Sequence, residues 1–141
     1  MEQYLTFASH NLMLFAALAV ILAMLFFNLF GHRLRGYQVV GPADAVNLIN
    51  HKDAVVLDVR EINEFQEGHI VNAIHIPQSA LSKRINELEK HKSKPIIIGC
   101  RSGHRSGQAC AMLRKQGFEQ VYNLQGGVMA WRSANLPLTR K

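Results

Sequence analysis

Lysine and arginine are missing from the first 31 residues of this 141-residue chain, where Glu2 is the single acid. All 16 basic residues and nine of the ten acids lie from residue 32 on, a net charge of +7 there. Those bases are scattered, and no aromatic run interleaves them. They make no nucleic-acid footprint, so no nucleic-acid partner is expected. Cysteine is scarce: Cys100 and Cys110, ten apart in one segment, are the only two. Two cysteines do not make a disulfide framework, so Cys100 is read for reactivity and Cys110 for packing. H-x-x-x-H and C-x-x-C pairings are absent. A metal site is therefore not expected, and no cofactor is called for. Repeats and low-complexity tracts are also missing, which leaves room for one domain of ordinary size.

What the base-free segment does contain is the run from Leu12 to Phe30, LMLFAALAVILAMLFFNLF, nineteen residues in which Asn28 is the one polar position. As a helix it rises about 28 Å, close to the roughly 30 Å hydrocarbon thickness of a bilayer. It lacks the polar stripe of a soluble core helix. A cleavable signal peptide would want a basic start, a shorter apolar stretch and a small-x-small exit. Here the start is MEQYLTFASHN and the exit GHRLR. Residues 1–36 are thus predicted to form a retained transmembrane anchor, spanning about 12–30, with a juxtamembrane linker; residues 37–141 form the soluble domain. Arg33 and Arg35 follow the span and no base precedes it, which places that domain in the cytoplasm. Tyr4 and Tyr37 suit the two interfaces, and His32 reads as an interfacial polar residue rather than a ligand.

Residues 37–141 alternate short apolar runs with helical patterns, the signature of βαβ units around a mostly parallel sheet. Tyr37–Val40 and Ala54–Asp58 read as strands, with a helix from Pro42 to Asn50 between them. Ser79 is expected to cap a helix in which Leu81, Ile85 and Leu88 share a face. Pro95–Gly99 is a fully apolar strand of the kind a sheet covered on both sides buries. Ser106 is expected to cap a helix to Gln116, stopped by Gly117 with Phe118 as its apolar contact. Gln120–Leu124 gives the last strand and Val128–Ala134 a closing helix.

The stretch that carries chemistry is Gly99-Cys100-Arg101-Ser102-Gly103-His104-Arg105-Ser106. A reactive group at the C-terminal end of a parallel strand, just before a helix, sits where open α/β sheets place ligands. The loop from Cys100 to Arg105 is expected to turn its N–H groups inward as an anion cradle, with Gly103 taking a positive φ. Arg101 and Arg105 add positive charge, which favours thiolate over thiol at Cys100. Cys110, among Ala109, Ala111, Met112 and Leu113, reads as helix packing.

Together with two flanking signatures this loop resembles a rhodanese domain. One signature is Asp58-Val59-Arg60 followed by Glu64-Phe65, Gly68-His69-Ile70, Ala73 and Ile76-Pro77; the other is Gly126-Gly127 with Ala130-Trp131. The resemblance covers about residues 37–137, and in layout the chain is similar to small bacterial rhodanese-like proteins with one N-terminal membrane helix. It implies an α/β fold, a small rhodanese-type parallel sheet flanked by helices and preceded by one transmembrane helix, at the bacterial inner membrane. It further implies that Cys100 takes sulfane sulfur from a small anionic donor such as thiosulfate. The sulfur would then pass from the persulfide to a thiol or protein acceptor. Arg101 and Arg105 would bind the donor, and backbone N–H groups from Arg101 through Ser102, Gly103 and His104 to Arg105 would hold the persulfide. Asp58 and Arg60 lie near the site and read first as structural charges, with Glu61 or Glu64 as partners. His69 and His75 read as hydrogen-bonded turn residues, and Trp131 as a core anchor. A cysteine phosphatase would place Arg six positions after Cys; here that position is Ser106 and the arginine comes at five. An adaptor built on the same fold is the reading from another class, and its usual mark, loss of the nucleophile, is absent.

Overall fold

The computed structural model describes residues 1–34 and 36–141, apart from the side chains of residues 32–34. The orientation argument from Arg33 and Arg35 and the reading of His32 therefore lie outside the described residues. The chain forms two compact units, residues 1–35 and 36–141.

In the first unit, α1 (Glu2–His10) and α2 (Leu12–Leu34) are separated at Asn11. The stretch Leu12–Gly31 of α2 is long and apolar enough to cross a membrane, and none of it is buried within the chain. Helix α1 was not anticipated: its sequence, EQYLTFASH, was read only as the flank of the apolar run.

The second unit runs β1 (Gln38–Val40), α3 (Pro42–Lys52), β2 (Val55–Asp58), α4 (Ile62–Glu67), β3 (His69–Ile70), β4 (Ile74–His75) and α5 (Gln78–Arg84). A 3₁₀ stretch (Ile85–His91), β5 (Ile96–Gly99), α6 (His104–Lys115), β6 (Val121–Leu124), α7 (Gly127–Ser133) and β7 (Leu138–Thr139) follow. Five strands form one parallel sheet in the order β1-β6-β5-β2-β4, while β3 and β7 pair antiparallel as a separate ribbon.

Successive residues of a strand face opposite sides, and the central strands are apolar on both. Ile96 and Ile98 join Leu57, Leu81, Leu88, Ala109 and Leu113 in the core under α5 and α6. Ile97 joins Val56, Ala45, Leu124 and Trp131 in the core on the other face. Burying one such side chain contributes about 1.5–3 kcal/mol, so both faces of β5 hold it in register.

Two expected helix caps are corrected. Helix α5 starts at Gln78 behind Pro77, which places Ser79 inside it. Helix α6 starts at His104 behind Gly103, so Ser106 lies in its first turn, fully buried. At the other end of α6 the glycine stop forms: Gly117 has φ +91, and the Phe118 N–H donates to the Leu113 carbonyl at 3.2 Å.

Candidate active site

Strand β5 delivers Cys100 to the C-terminal edge of the sheet, one residue past Gly99. Residues 100–103 then curl back into α6. Gly103 makes the curl possible, standing at φ +101 in the left-handed region. Its N–H points inward and donates to Cys100 Sγ at 3.0 Å, while the Ser106 hydroxyl oxygen lies 3.4 Å from the same sulfur.

Helix α7 holds the back of this loop. The N–H groups of Val128 and Met129 donate to the carbonyls of Cys100 and Arg101 at 2.8 and 3.1 Å. In a planar trans peptide the N–H opposes the C=O, so the next N–H groups along turn inward. The approach is so close that a Cβ on Gly127 would collide with the Cys100 carbonyl oxygen and the Arg101 backbone. Strand β6 closes the site through Asn123, whose Nδ2 donates to the Gly103 carbonyl at 3.1 Å. Its Oδ1 accepts from Ser106 at 2.5 Å.

Burial pushes the Cys100 thiol up; the Ser106 hydroxyl and the N–H groups of Ser106, Gly103 and Ser102 outweigh it and hold the thiol below its ordinary value. Cys100 itself is 1 % exposed. Cys110, 0 % exposed on α6, is pushed well up, first by burial and then by the Cys100 charge.

The other residues singled out in the sequence divide into two groups. Arg101, Ser102 and His104 are exposed around the loop. Arg105 is not free: its guanidinium forms a two-point ion pair with Glu64 of α4 at 2.7 and 2.8 Å. That pairing holds the Glu64 carboxyl below the usual carboxylate range. Asp58 and Arg60 are both buried and pair with each other, at 2.8 Å from Arg60 Nη2 to Asp58 Oδ2. Arg60 also donates to the Gly68 carbonyl at 2.8 Å. Their partners are therefore not Glu61 or Glu64, which instead form a capping box on α4. His69 and His75 stack on Phe65, with centroids 3.7 and 4.3 Å away, and each meets a backbone carbonyl. Trp131, 4 % exposed, donates its indole N–H to the Pro137 carbonyl at 3.1 Å.

Sequence reasoning took Ser106 for a helix cap and Glu64 for a partner of Asp58 or Arg60, and did not single out Asn123. Asn123 did leave a signal, a polar residue inside the otherwise apolar strand Val121–Leu124.

A cysteine-led loop at the C-terminal edge of a parallel sheet, backed by a glycine-started helix, defines a class of domain. The chain belongs to the rhodanese-like domain family, whose model matches residues 41–134. It is 35% identical over 141 residues to the uncharacterized protein YibN of Escherichia coli (strain K12), covering 99% of each chain. A sulfurtransferase of Allochromatium vinosum is 38% identical over 91 residues, 64% of this chain and 83% of that one. The crystal structure of a rhodanese-related protein from Thermoplasma volcanium matches with a TM-score of 0.68 at 31% identity, over 74% of this chain and 100% of that one.

Proposed function

We propose that the protein is a membrane-anchored sulfurtransferase that moves sulfane sulfur through a persulfide on Cys100. The observation that carries this reading is the Cys100 sulfur at the base of a loop whose Gly103 N–H donates to it. In the first half-reaction the Cys100 thiolate attacks the outer sulfur of thiosulfate. The S–S bond of the donor breaks, sulfite leaves with the bonding pair, and Cys–S–S⁻ remains. In the second, a thiophilic acceptor such as cyanide or a thiolate attacks the outer sulfur, and Cys100 leaves as thiolate. Charge balances in both steps, and no proton is needed. The outer sulfur of the persulfide carries the charge about 2.05 Å beyond Sγ, toward the inward N–H groups of the loop.

Arg101, exposed beside the loop, meets the anionic donor, and Arg105 adds charge already shared with Glu64. Cys100→Ser is expected to abolish thiosulfate-to-cyanide transfer, because a serine oxygen cannot hold the sulfane sulfur. Arg101→Ala is expected to lower kcat/KM for thiosulfate about ten- to a hundredfold, the value of a charge-assisted contact. The Arg105→Ala loss is expected to be smaller. Steady-state kinetics of the three variants tests this; full transfer by Cys100→Ser rejects the reading.

We also infer that α2 spans the bacterial inner membrane and that residues 37–141 face the cytoplasm. The apolar length of Leu12–Gly31 supports the span, and Arg33 and Arg35 after it support the orientation. A C-terminal GFP fusion is expected to fluoresce and an alkaline phosphatase fusion to stay silent; the opposite pair of results overturns the orientation.

A further inference from the structure

The Ser106 hydroxyl has two claimants for its single hydrogen. Asn123 is held in one amide orientation, because its Nδ2 donates to the Gly103 carbonyl at 3.1 Å and a carbonyl cannot donate in return. Its Oδ1 is therefore what faces Ser106, at 2.5 Å, and there Ser106 must be the donor. The same hydroxyl lies 3.4 Å from Cys100 Sγ. With its hydrogen on Asn123, Ser106 offers the sulfur lone pairs only. That suits a thiol, whose S–H donates to Ser106, and opposes a thiolate.

We propose that the buried Ser106 hydroxyl carries its hydrogen between Asn123 Oδ1 and Cys100 Sγ, so that Asn123 acts as a positioning residue that restrains thiolate formation. When Cys100 ionises, the hydroxyl swings to the sulfur and Asn123 Oδ1 loses its donor. Asn123 is 8 % exposed and Ser106 0 %, so water has little access to replace it. The inference deepens the sulfurtransferase reading and rests on it for its consequence. In the persulfide the negative charge sits on the outer sulfur, so the Ser106 hydrogen returns to Asn123. When the acceptor takes that sulfur, the S–S bond breaks, its electron pair stays on Sγ, and the hydrogen moves back to the new thiolate. The pair thereby favours the sulfur-loaded state over the bare thiolate.

Other groups around the sulfur are accounted for. Arg105 and Cys110 approach it from α6, and Arg101 and His104 flank it on the loop and the first turn of α6. Asp58 and Arg60, at the end of β2 and just beyond it, neutralise each other, and Glu64 of α4 is tied to Arg105. Helix α7 brings no titratable side chain in its first turn, which reads Gly127-Val128-Met129-Ala130. Changing Ser106 or Asn123 removes no charge from this set. Asn123→Ala does release the Gly103 carbonyl, a loss common to the single and the double variant.

The test is the rate of iodoacetamide alkylation at Cys100 against pH, on the detergent-solubilised full chain, with the modified peptide measured by mass spectrometry. Ser106→Ala is expected to slow alkylation near neutral pH roughly tenfold, because the thiolate loses a charge-assisted donor. Ser106→Thr is expected to restore much of the rate. Asn123→Ala is expected to act in the opposite direction, speeding alkylation and moving the profile to lower pH by freeing the hydroxyl. In the double variant that acceleration is expected to vanish. An unchanged or slowed Asn123→Ala, or one that accelerates equally without Ser106, overturns the proposal. If Asn123→Ala does not fold, the infrared S–H stretch decides on the remaining proteins. Measured in a Cys110→Ala background at a pH where Cys100 is protonated, so that one thiol contributes, it is expected at a hydrogen-bonded frequency with Ser106 present and at a free-thiol frequency in Ser106→Ala; a free-thiol frequency with Ser106 present overturns the proposal. No sulfur donor enters any of these measurements, so their failure leaves sulfur transfer standing, and failure of sulfur transfer leaves them readable.

Discussion

Cys100 and Cys110 are the same residue type ten positions apart, and their surroundings divide their chemistry. Cys100 sits where N–H donors converge on its sulfur, which favours the anion. Cys110 lies at 0 % exposure in the α6 core, where burial favours the neutral thiol. A folded-state value raised above the unfolded one contributes stability below the ordinary thiol range. That contribution is lost as pH rises, because the unfolded chain ionises first. Cys110→Ala is therefore expected to cost about 1 kcal/mol near neutral pH and to leave sulfur transfer within a few fold. Above about pH 8.5, where an ordinary thiol ionises, the stability gap to wild type is expected to narrow. Thermal melts at neutral and alkaline pH check this; a gap that widens with pH contradicts it. Arg105 shows how far a residue's role escapes its local sequence. Its charge beside Cys100 was legible, yet the carboxylate that holds it, Glu64, lies 41 positions away and only the fold brings them together.

At the scale of elements, what the sequence made legible follows strength of pattern. The strands ending at Asp58, Gly99 and Leu124 are apolar runs buried on both faces, and each was placed within a residue of its bounds. Strands β3, β4 and β7 have two residues each, too few for any periodicity to register. Ser79 and Ser106 were misread as caps because a serine before an apolar run fits both a cap and a first-turn position. Ser106 is decided by the tertiary partners Asn123 and Cys100, which local sequence does not contain. The pair Gly126-Gly127 was visible as a motif, but its physical reason needs the fold: α7 must reach the carbonyls behind the nucleophile. Gly127→Ala is expected to lose at least roughly tenfold in transfer rate, the loss attached to misplacing a reacting group by about 1 Å or less. The overall sheet is expected to persist in circular dichroism. Wild-type activity in that variant would mean that the contact between α7 and the loop is dispensable.

For the molecule as a whole, an N-terminal helix with the uncharged apolar stretch Leu12–Gly31 and a basic α/β domain share one chain, and the site lies entirely in the second unit. Family membership, the Cys100 loop and the lowered thiol support the proposal that Cys100 carries sulfur. The most direct test is the mass of the intact protein after incubation with thiosulfate and removal of excess donor. The account expects a gain of one sulfur, located on the Cys100 peptide, released by dithiothreitol or cyanide and absent from Cys100→Ser. A wild-type protein whose mass stays unchanged, while iodoacetamide shows Cys100 to be reduced and accessible, would contradict it.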